Sequence, residues 1–277
     1  MEFEKIKEKI HKNPKSINVL YRWLMDKEFS GAACEELCKY LLDNKELFDK
    51  HFYRDLVRVN CNGDSLEYRY DSRDGATDSE PRKDKNGKID EKHLAMIIFK
   101  QGRKGKELVK IDNLGFILDY EMPIGGNTEK LLKENGELRG ICDPDPNSNP
   151  SKNSMLFNPG KCDLVSFDNN CFTILELKKE DNTEPLVRAV MEAYTYREML
   201  NKSEAADSLR GKYRGLSIPE GNTIWKAAPL LPFGESQYKE YMSAGPKLIE
   251  LMDFLEIKPI WYSYSEKDKK ISVVKYL

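Results

Sequence analysis

The sequence predicts an α/β protein in which a mixed β-sheet with helices on its faces follows an all-helical region. Residues 2–60 carry apolar side chains at the 3.6-residue spacing that is typical of helices. From residue 93 onward, short β-prone runs alternate with longer helical segments, which favours a sheet covered by helices. We therefore expect a helical region over residues 1–62, a polar linker or mobile loop over 63–90, and a sheet domain over 91–277.

Each element is predicted from a local signal. In the first helix Phe3, Ile6 and Ile10 share one face, and Ser16 is the expected N-cap of the second. Thr183 is the expected N-cap of the first long helix of the sheet domain. The predicted helices after the first cover 16–24, 32–42, 46–59, 184–201 and 235–256. The predicted strands cover 94–99, 114–124, 164–167, 172–177, 223–231, 259–264 and 271–276.

One predicted hairpin brings three charged residues together. Asn169-Asn170 separates two β-prone runs, and asparagine tolerates the positive φ of a two-residue primed turn. Such a turn sets Asp163 opposite Glu176, and the period of two places Lys178 on the same face. Two facing carboxylates repel each other, so the pair favours a cation. A one-residue slip would turn one carboxylate away. The pattern alone leaves a metal site and an exposed salt-bridged hairpin both open.

The same hairpin resembles the motif of the PD-(D/E)XK nuclease superfamily, in particular its RecB-like branch. Asp163, a turn, and then Glu176 and Lys178 at the end of the next strand fit that motif. Cys162 stands where the superfamily name has Pro, whereas Pro144-Asp145 lies in a Pro/Asn/Ser-rich loop. The resemblance covers roughly residues 112–231. It implies a restriction-endonuclease-like fold and metal-dependent hydrolysis of phosphodiester bonds.

Three further residues fit the resemblance as supporting residues. Glu121 ends the strand before the motif, where a third acid and an ordinary strand-end charge are both open. Glu192 and Tyr196 lie four apart on the helix after the motif, which is the spacing of the branch's Gln-x-x-x-Tyr. Because Glu replaces Gln here, its role toward DNA is left open.

The resemblance also implies the chemistry. Asp163, Glu176 and the backbone carbonyl of Leu177 would hold Mg²⁺ or Mn²⁺, because these ions prefer oxygen ligands at partly open sites. Such an ion activates water and stabilises charge on phosphorus. Lys178 would orient that water, deprotonate it or neutralise the charge. DNA is the expected substrate, and RNA stays open.

Two other function classes stay open. The first is a catalytically silent nuclease-fold protein that binds nucleic acid or a protein. The second is an interaction protein whose N-terminal helices bind a protein partner. Cleavage of both DNA strands usually needs two sites, so the sequence leaves a homodimer open.

The charge distribution limits how nucleic acid could bind. A net charge of −2 gives no general attraction to phosphates, so a nuclease must concentrate basic residues locally. Each of the two basic clusters could equally be a solvated loop. The predicted phosphate-contacting residues are Lys179, one cluster of Arg103, Lys104 and Lys106, and another of Arg210, Lys212 and Arg214.

Composition sets the remaining expectations. With 39% hydrophobic and 33% charged residues, the chain is typical of soluble globular proteins. No apolar run reaches the ~20 residues of a membrane span, and the acidic, amphipathic start is not a secretory signal, so we expect a cytoplasmic protein. The six cysteines form no Cys-x-x-Cys pair and are expected to be buried as small hydrophobic residues.

Overall fold

A mixed sheet of six strands lies between two layers of helices in the computed structural model, which describes residues 2–25, 29–52, 89–105, 107–123, 161–200, 202–221 and 223–274. The helices are α1 (Glu2–Lys12), a 3₁₀ helix (Pro14–Trp23), α2 (Gly31–Asp43), α3 (Glu46–Lys50), α4 (Glu91–Gln101), α5 (Leu186–Met199), α6 (Lys202–Lys212), α7 (Ser236–Met242) and α8 (Pro246–Leu255). The strands are β1 (Arg103–Lys104), β2 (Glu107–Leu108), β3 (Phe116–Pro123), β4 (Lys161–Asp168), β5 (Cys171–Leu177), β6 (Ile224–Pro232), β7 (Ile260–Ser265) and β8 (Lys270–Val274).

The six strands from β3 to β8 lie in chain order, while β1 and β2 form a separate small hairpin. Pairs β3–β4, β4–β5 and β7–β8 are antiparallel, whereas β5–β6 and β6–β7 are parallel. The predicted α/β class and its mixed sheet with flanking helices are therefore confirmed. None of the helices in the described ranges is both long and apolar enough to cross a membrane.

The hairpin between β4 and β5 has the predicted turn. Asn169 and Asn170 have φ values of 48° and 60°, the left-handed conformation that a two-residue primed turn requires. The ladder pairs Asp168 with Cys171 and continues to the pair Leu164 and Leu175. The register predicted from the turn is therefore confirmed.

The N-terminal helices share one hydrophobic core with the sheet. The 3₁₀ helix packs on α5, and α2 packs on α8. Phe48 of α3 makes an edge-to-face ring contact with Tyr194 of α5, with centroids 5.6 Å apart. On the opposite face of the sheet, α4 covers a second core that includes Leu164, Leu175 and Leu230. Of the predicted linker, only residues 89 and 90 lie within the described ranges.

A carboxylate from the N-terminal region caps a helix near the C-terminus. Glu35 of α2 accepts hydrogen bonds from the backbone N–H groups of Lys247 and Leu248, each at 2.9 Å. These groups open α8 and have no partner within their own helix. Gly245 precedes them, and a Cβ at that position would lie only 2.2 Å from the Glu35 carboxyl carbon. A side chain at position 245 would therefore displace the Glu35 carboxylate from its capping position.

The prediction of a strand over 94–99 is wrong, because these residues belong to α4. Asp90 starts the helix, since its Oδ1 accepts the backbone N–H of His93 at 2.9 Å. Leu94, Ile98 and Phe99 are all buried, so the apolar residues of this run are not confined to one narrow face of the helix. A short run of this kind lacks the periodicity that separates a helix from a strand.

Two predicted helix starts and two predicted helix extents are also wrong, and one helix was not predicted. Ser16 lies inside the 3₁₀ helix, and the cap is Asn13, whose side chain accepts from the Lys15 N–H at 3.2 Å. Thr183 does not cap α5, whose first N–H, from Leu186, donates to Glu240 at 2.7 Å. The helix predicted over 235–256 is split into α7 and α8 at Gly245-Pro246, because proline starts a helix but cannot continue one. The prediction over 46–59 stops at Lys50, with 53–59 outside the described residues, and α6 was not predicted.

Candidate functional site

Asp163, Glu176 and Lys178 meet at one end of the sheet, as the hairpin register predicts. The Leu177 N–H donates to Asp163 Oδ2 at 2.7 Å, and Lys178 Nζ lies 2.6 Å from Glu176 Oε1. The backbone of Lys178 is fixed on both sides, because its N–H donates to the Leu230 carbonyl and its carbonyl accepts the Tyr262 hydroxyl at 2.8 Å. The sheet therefore holds all three residues on well-packed strands.

Lys178 is surrounded by carboxylates and is only 3% exposed. Its Nζ lies 3.1 Å from Glu192, 3.6 Å from Glu184 and 3.7 Å from Glu91, in addition to its contact with Glu176. Burial acts to lower the pKa of Lys178, but the charges of its carboxylate neighbours raise that pKa well above its usual value. The side chain is therefore a fixed positive charge at neutral pH.

Three carboxylates converge beside Lys178. Each of Glu91, Asp163 and Glu176 places a carboxylate oxygen within 4.8 Å of the other two. Burial raises the pKa of Asp163 well above its usual value, and burial together with the neighbouring charges of Asp163 and Glu192 does the same for Glu176. Among the described residues, Glu176 Oε2 has no hydrogen-bond partner. Acids outnumber cations here, and an all-oxygen ligand set of this kind suits Mg²⁺ or Mn²⁺.

The sequence analysis missed Glu91. It is the first residue of α4, and its carboxylate accepts the backbone N–H of Lys179 at 3.3 Å. Burial raises its pKa as well. The available signal was Asp90-Glu91 before an apolar run, which is a cap followed by an acid in the first turn of a helix. Because that run was interpreted as a strand, its start was not considered.

Helix α5 supplies the predicted supporting residues Glu192 and Tyr196. Glu192 Oε1 accepts the Tyr196 hydroxyl at 3.0 Å, while its other oxygen contacts Lys178. Burial acts to raise the pKa of Glu192, but the charges of Lys178 and Arg188 lower it below its usual value. Glu192 is therefore the carboxylate beside Lys178 whose negative charge the surrounding cations favour.

Glu121, for which the sequence leaves a third acid and an ordinary strand-end charge both open, lies outside this group. It occupies a left-handed conformation on β3, with φ of 52°, and its carboxylate lies 3.4 Å from Lys161 Nζ. It does not belong to the three-carboxylate group of Glu91, Asp163 and Glu176 that the described residues form.

The two predicted basic clusters touch each other at the edge of the sheet. The Arg103 guanidinium donates to the Ile117 carbonyl at 3.1 Å and to the Tyr213 hydroxyl at 3.0 Å. Arg210 donates to the Ile218 carbonyl at 3.3 Å. The protein's own backbone thus binds both arginines. Lys104 and Arg214 are exposed, Lys179 and Lys212 are half-buried, and Lys106 lies outside the described residues.

The described cysteines are free thiols, and three of them are buried. Cys34 and Cys38 lie one turn apart in α2 with their Sγ atoms 3.8 Å apart, while Cys162 is buried and Cys171 half-buried. The expectation of buried small hydrophobic residues holds for the first three. Cys61 and Cys142 lie outside the described residues.

Comparison with known proteins identifies no relative. The chain matches no protein-family model, and no curated protein or solved structure is significantly similar to it. The geometry of the site is therefore the basis for any functional conclusion.

Proposed function

We propose that this chain is a metal-dependent nuclease of the PD-(D/E)XK type that hydrolyses phosphodiester bonds of DNA. The observation that supports this proposal is the convergence of Glu91, Asp163 and Glu176 within 4.8 Å, beside a buried lysine. A strand before the motif hairpin and a helix after it, as the resemblance requires, add support.

The three carboxylates and the Leu177 carbonyl would hold Mg²⁺ or Mn²⁺. Such an ion supplies an activated water and stabilises the charge that builds on phosphorus. The carboxylates fit this task because they lie at the end of the sheet with 9% of Asp163 still exposed. Burial, together with their mutual repulsion in the case of Glu176, raises the pKa of Asp163 and Glu176 even with Lys178 beside them. A divalent ion would offset this excess of negative charge.

Lys178 would act as a positive charge and not as a base. Burial acts to lower the pKa of Lys178, but the charges of Glu176 and the other carboxylates around it raise that pKa well above its usual value, which favours the protonated ammonium in the metal-free protein. Its Nζ is held among carboxylates that would also bind the metal, so it can neutralise the charge that develops on the attacked phosphate. Of the roles that the motif leaves open, we propose this one.

The test is cleavage of linear, circular and single-stranded DNA with Mg²⁺ or Mn²⁺, and of RNA in parallel. Wild type is compared with Asp163→Ala and Lys178→Ala, and Asp207→Ala serves as a control, since Asp207 is exposed and pairs with Arg210. We expect the control and wild type to cleave, and both site variants to lose activity while remaining folded. Nucleic-acid binding without cleavage in wild type would instead support a silent binding protein.

A further inference from the structure

Arg188 contacts two of the four carboxylates that surround Lys178. It is 9% exposed and occupies the first turn of α5. Its guanidinium contacts the Glu184 carboxylate and lies 3.7 Å from Glu192 Oε2. Glu184 precedes the helix and Glu192 lies one turn after Arg188, each four residues away from it, and both of them contact Lys178 Nζ. One arginine therefore bridges two of the four carboxylates around the lysine.

The third arm of the same guanidinium is bound by the N-terminal region. Arg188 Nε donates to the backbone carbonyl of Tyr21 at 3.2 Å, and Tyr21 belongs to the 3₁₀ helix. The Tyr21 ring also packs edge-to-face on Tyr196, whose hydroxyl binds Glu192. The planar, forked guanidinium of an arginine is suited to bind a carbonyl and two carboxylates in fixed directions at once.

We propose that Arg188 is a positioning residue that holds Glu184 and Glu192 in place around Lys178 and is itself held by the N-terminal 3₁₀ helix. Without this cation, Glu184 and Glu192 would lie close together at a buried site with Lys178 as their shared counter-ion. Mutual repulsion would then move one of them away and leave Lys178 less enclosed. The consequence for metal binding rests on the proposed function, whereas the enclosure of Lys178 does not.

The chain offers a closely matched control on the same helix. Arg197 is also buried, pairs with Glu198 at 2.8 Å and donates to the Leu255 carbonyl at 3.0 Å, but it contacts none of the residues around Lys178 that the structure describes. The test therefore compares Arg188→Gln with Arg197→Gln. Arg188→Lys keeps the positive charge but removes the forked guanidinium. We therefore expect its effect on both readouts below to be smaller than that of Arg188→Gln.

Two readouts separate this role from the proposed function. The first is the rate at which acetic anhydride labels Lys178 in the metal-free folded protein, followed by peptide mass spectrometry. We expect Arg188→Gln to raise this rate about tenfold or more, because the buried charge-assisted contacts of Arg188 with Glu184 and Glu192 are lost. Arg197→Gln should leave the rate unchanged. The second is Mn²⁺ affinity by calorimetry, which should fall about ten- to hundredfold in Arg188→Gln alone.

The outcomes are distinguishable. Equal labelling of Lys178 in wild type, Arg188→Gln and Arg197→Gln would overturn the positioning role, and so would an equal increase in both variants. If wild type binds no Mn²⁺ but labelling of Lys178 still responds only to Arg188, the metal-dependent function fails and the positioning role stands. Should Arg188→Gln not fold, Arg188→Lys makes the same comparison, and labelling at the wild-type rate would refute the role of the fork.

Discussion

Replacing Glu176 by Gln is expected to stabilise the metal-free protein, although Glu176 is buried and bonded to Lys178. The substitution keeps an oxygen that can accept from Lys178 Nζ, now 2.6 Å from Glu176 Oε1. At the same time it removes one of three carboxylates whose oxygens lie within 4.8 Å of one another. The balance between these two effects determines whether the substitution stabilises or destabilises the folded protein.

The geometry gives the size of the effect. At an effective dielectric constant of about 20, two unit charges 4.8 Å apart repel each other by about 3.5 kcal/mol. Partial protonation in the folded state relieves some of this repulsion, because burial raises the pKa of both Glu176 and Asp163. The attraction of Glu176 to Lys178 Nζ, 2.6 Å away, is larger in the same approximation, about 6 kcal/mol. The raised pKa of Glu176 already includes this attraction and still shows that ionising Glu176 costs free energy in the folded protein. We therefore expect a net stabilisation of about 1–2 kcal/mol at pH 8.

The effect should depend on pH in a defined direction. Because the pKa of Glu176 is raised on folding, the folded state keeps a proton that the unfolded state releases above the ordinary value of 4.5. Wild type therefore loses stability relative to the variant as the pH rises above 4.5, and the two should be equally stable below it. Urea unfolding in EDTA at pH 4, 6 and 8 measures this difference.

Bound metal should make wild type more stable than Glu176→Gln, which is the reverse of the order expected in EDTA. With Mn²⁺ at about a hundred times its dissociation constant, wild type gains about 2.7 kcal/mol, whereas the variant has lost a ligand and gains less. Glu198→Gln is the control, since Glu198 is also buried but is paired with Arg197 at 2.8 Å and Lys202 at 3.5 Å. It should destabilise the protein under both conditions. If Glu176→Gln were less stable than wild type in EDTA at pH 8, the reasoning from excess charge would be refuted.

Three further substitutions test other parts of the structure. Lys178→Met leaves buried carboxylates without their counter-ion and should destabilise the metal-free protein by about 3–5 kcal/mol in urea unfolding; an unchanged midpoint would contradict that account. Glu35→Ala removes the cap on the Lys247 and Leu248 N–H groups and should cost about 1 kcal/mol by thermal unfolding; an unchanged melting temperature would contradict the capping role. Asn170→Ala places a Cβ-bearing residue without local hydrogen bonds at φ of 60° and should cost about 1 kcal/mol, while Asn170→Gly should be nearly neutral; equal losses would argue against the primed turn.

The hairpin that carries the site could be predicted from the sequence because its determinants are local. Asn169-Asn170 fixes the turn, the turn fixes the register, and the register determines which face Asp163 and Glu176 share. Each step depends on residues within about ten positions of the turn, so no knowledge of distant packing was needed.

The rest of the site could not be predicted because it depends on packing between distant segments. Glu91 reaches the site only because residues 94–99 form a helix, and burial on several sides hides the period of that helix. The contact between Arg188 and the Tyr21 carbonyl joins segments 167 residues apart in the chain. Every residue has a backbone carbonyl, so the identity of Tyr21 does not indicate that its carbonyl binds Arg188.

The most direct test of the central claim is a calorimetric titration of the folded protein with Mn²⁺. The claim is that Glu91, Asp163 and Glu176 form a divalent-metal site. Wild type should bind one ion, Asp163→Asn should lose that binding, Glu91→Gln should weaken it, and the exposed control Asp207→Asn should leave it unchanged. Absence of binding to wild type at millimolar Mn²⁺, or equal binding by Asp163→Asn, would contradict the account.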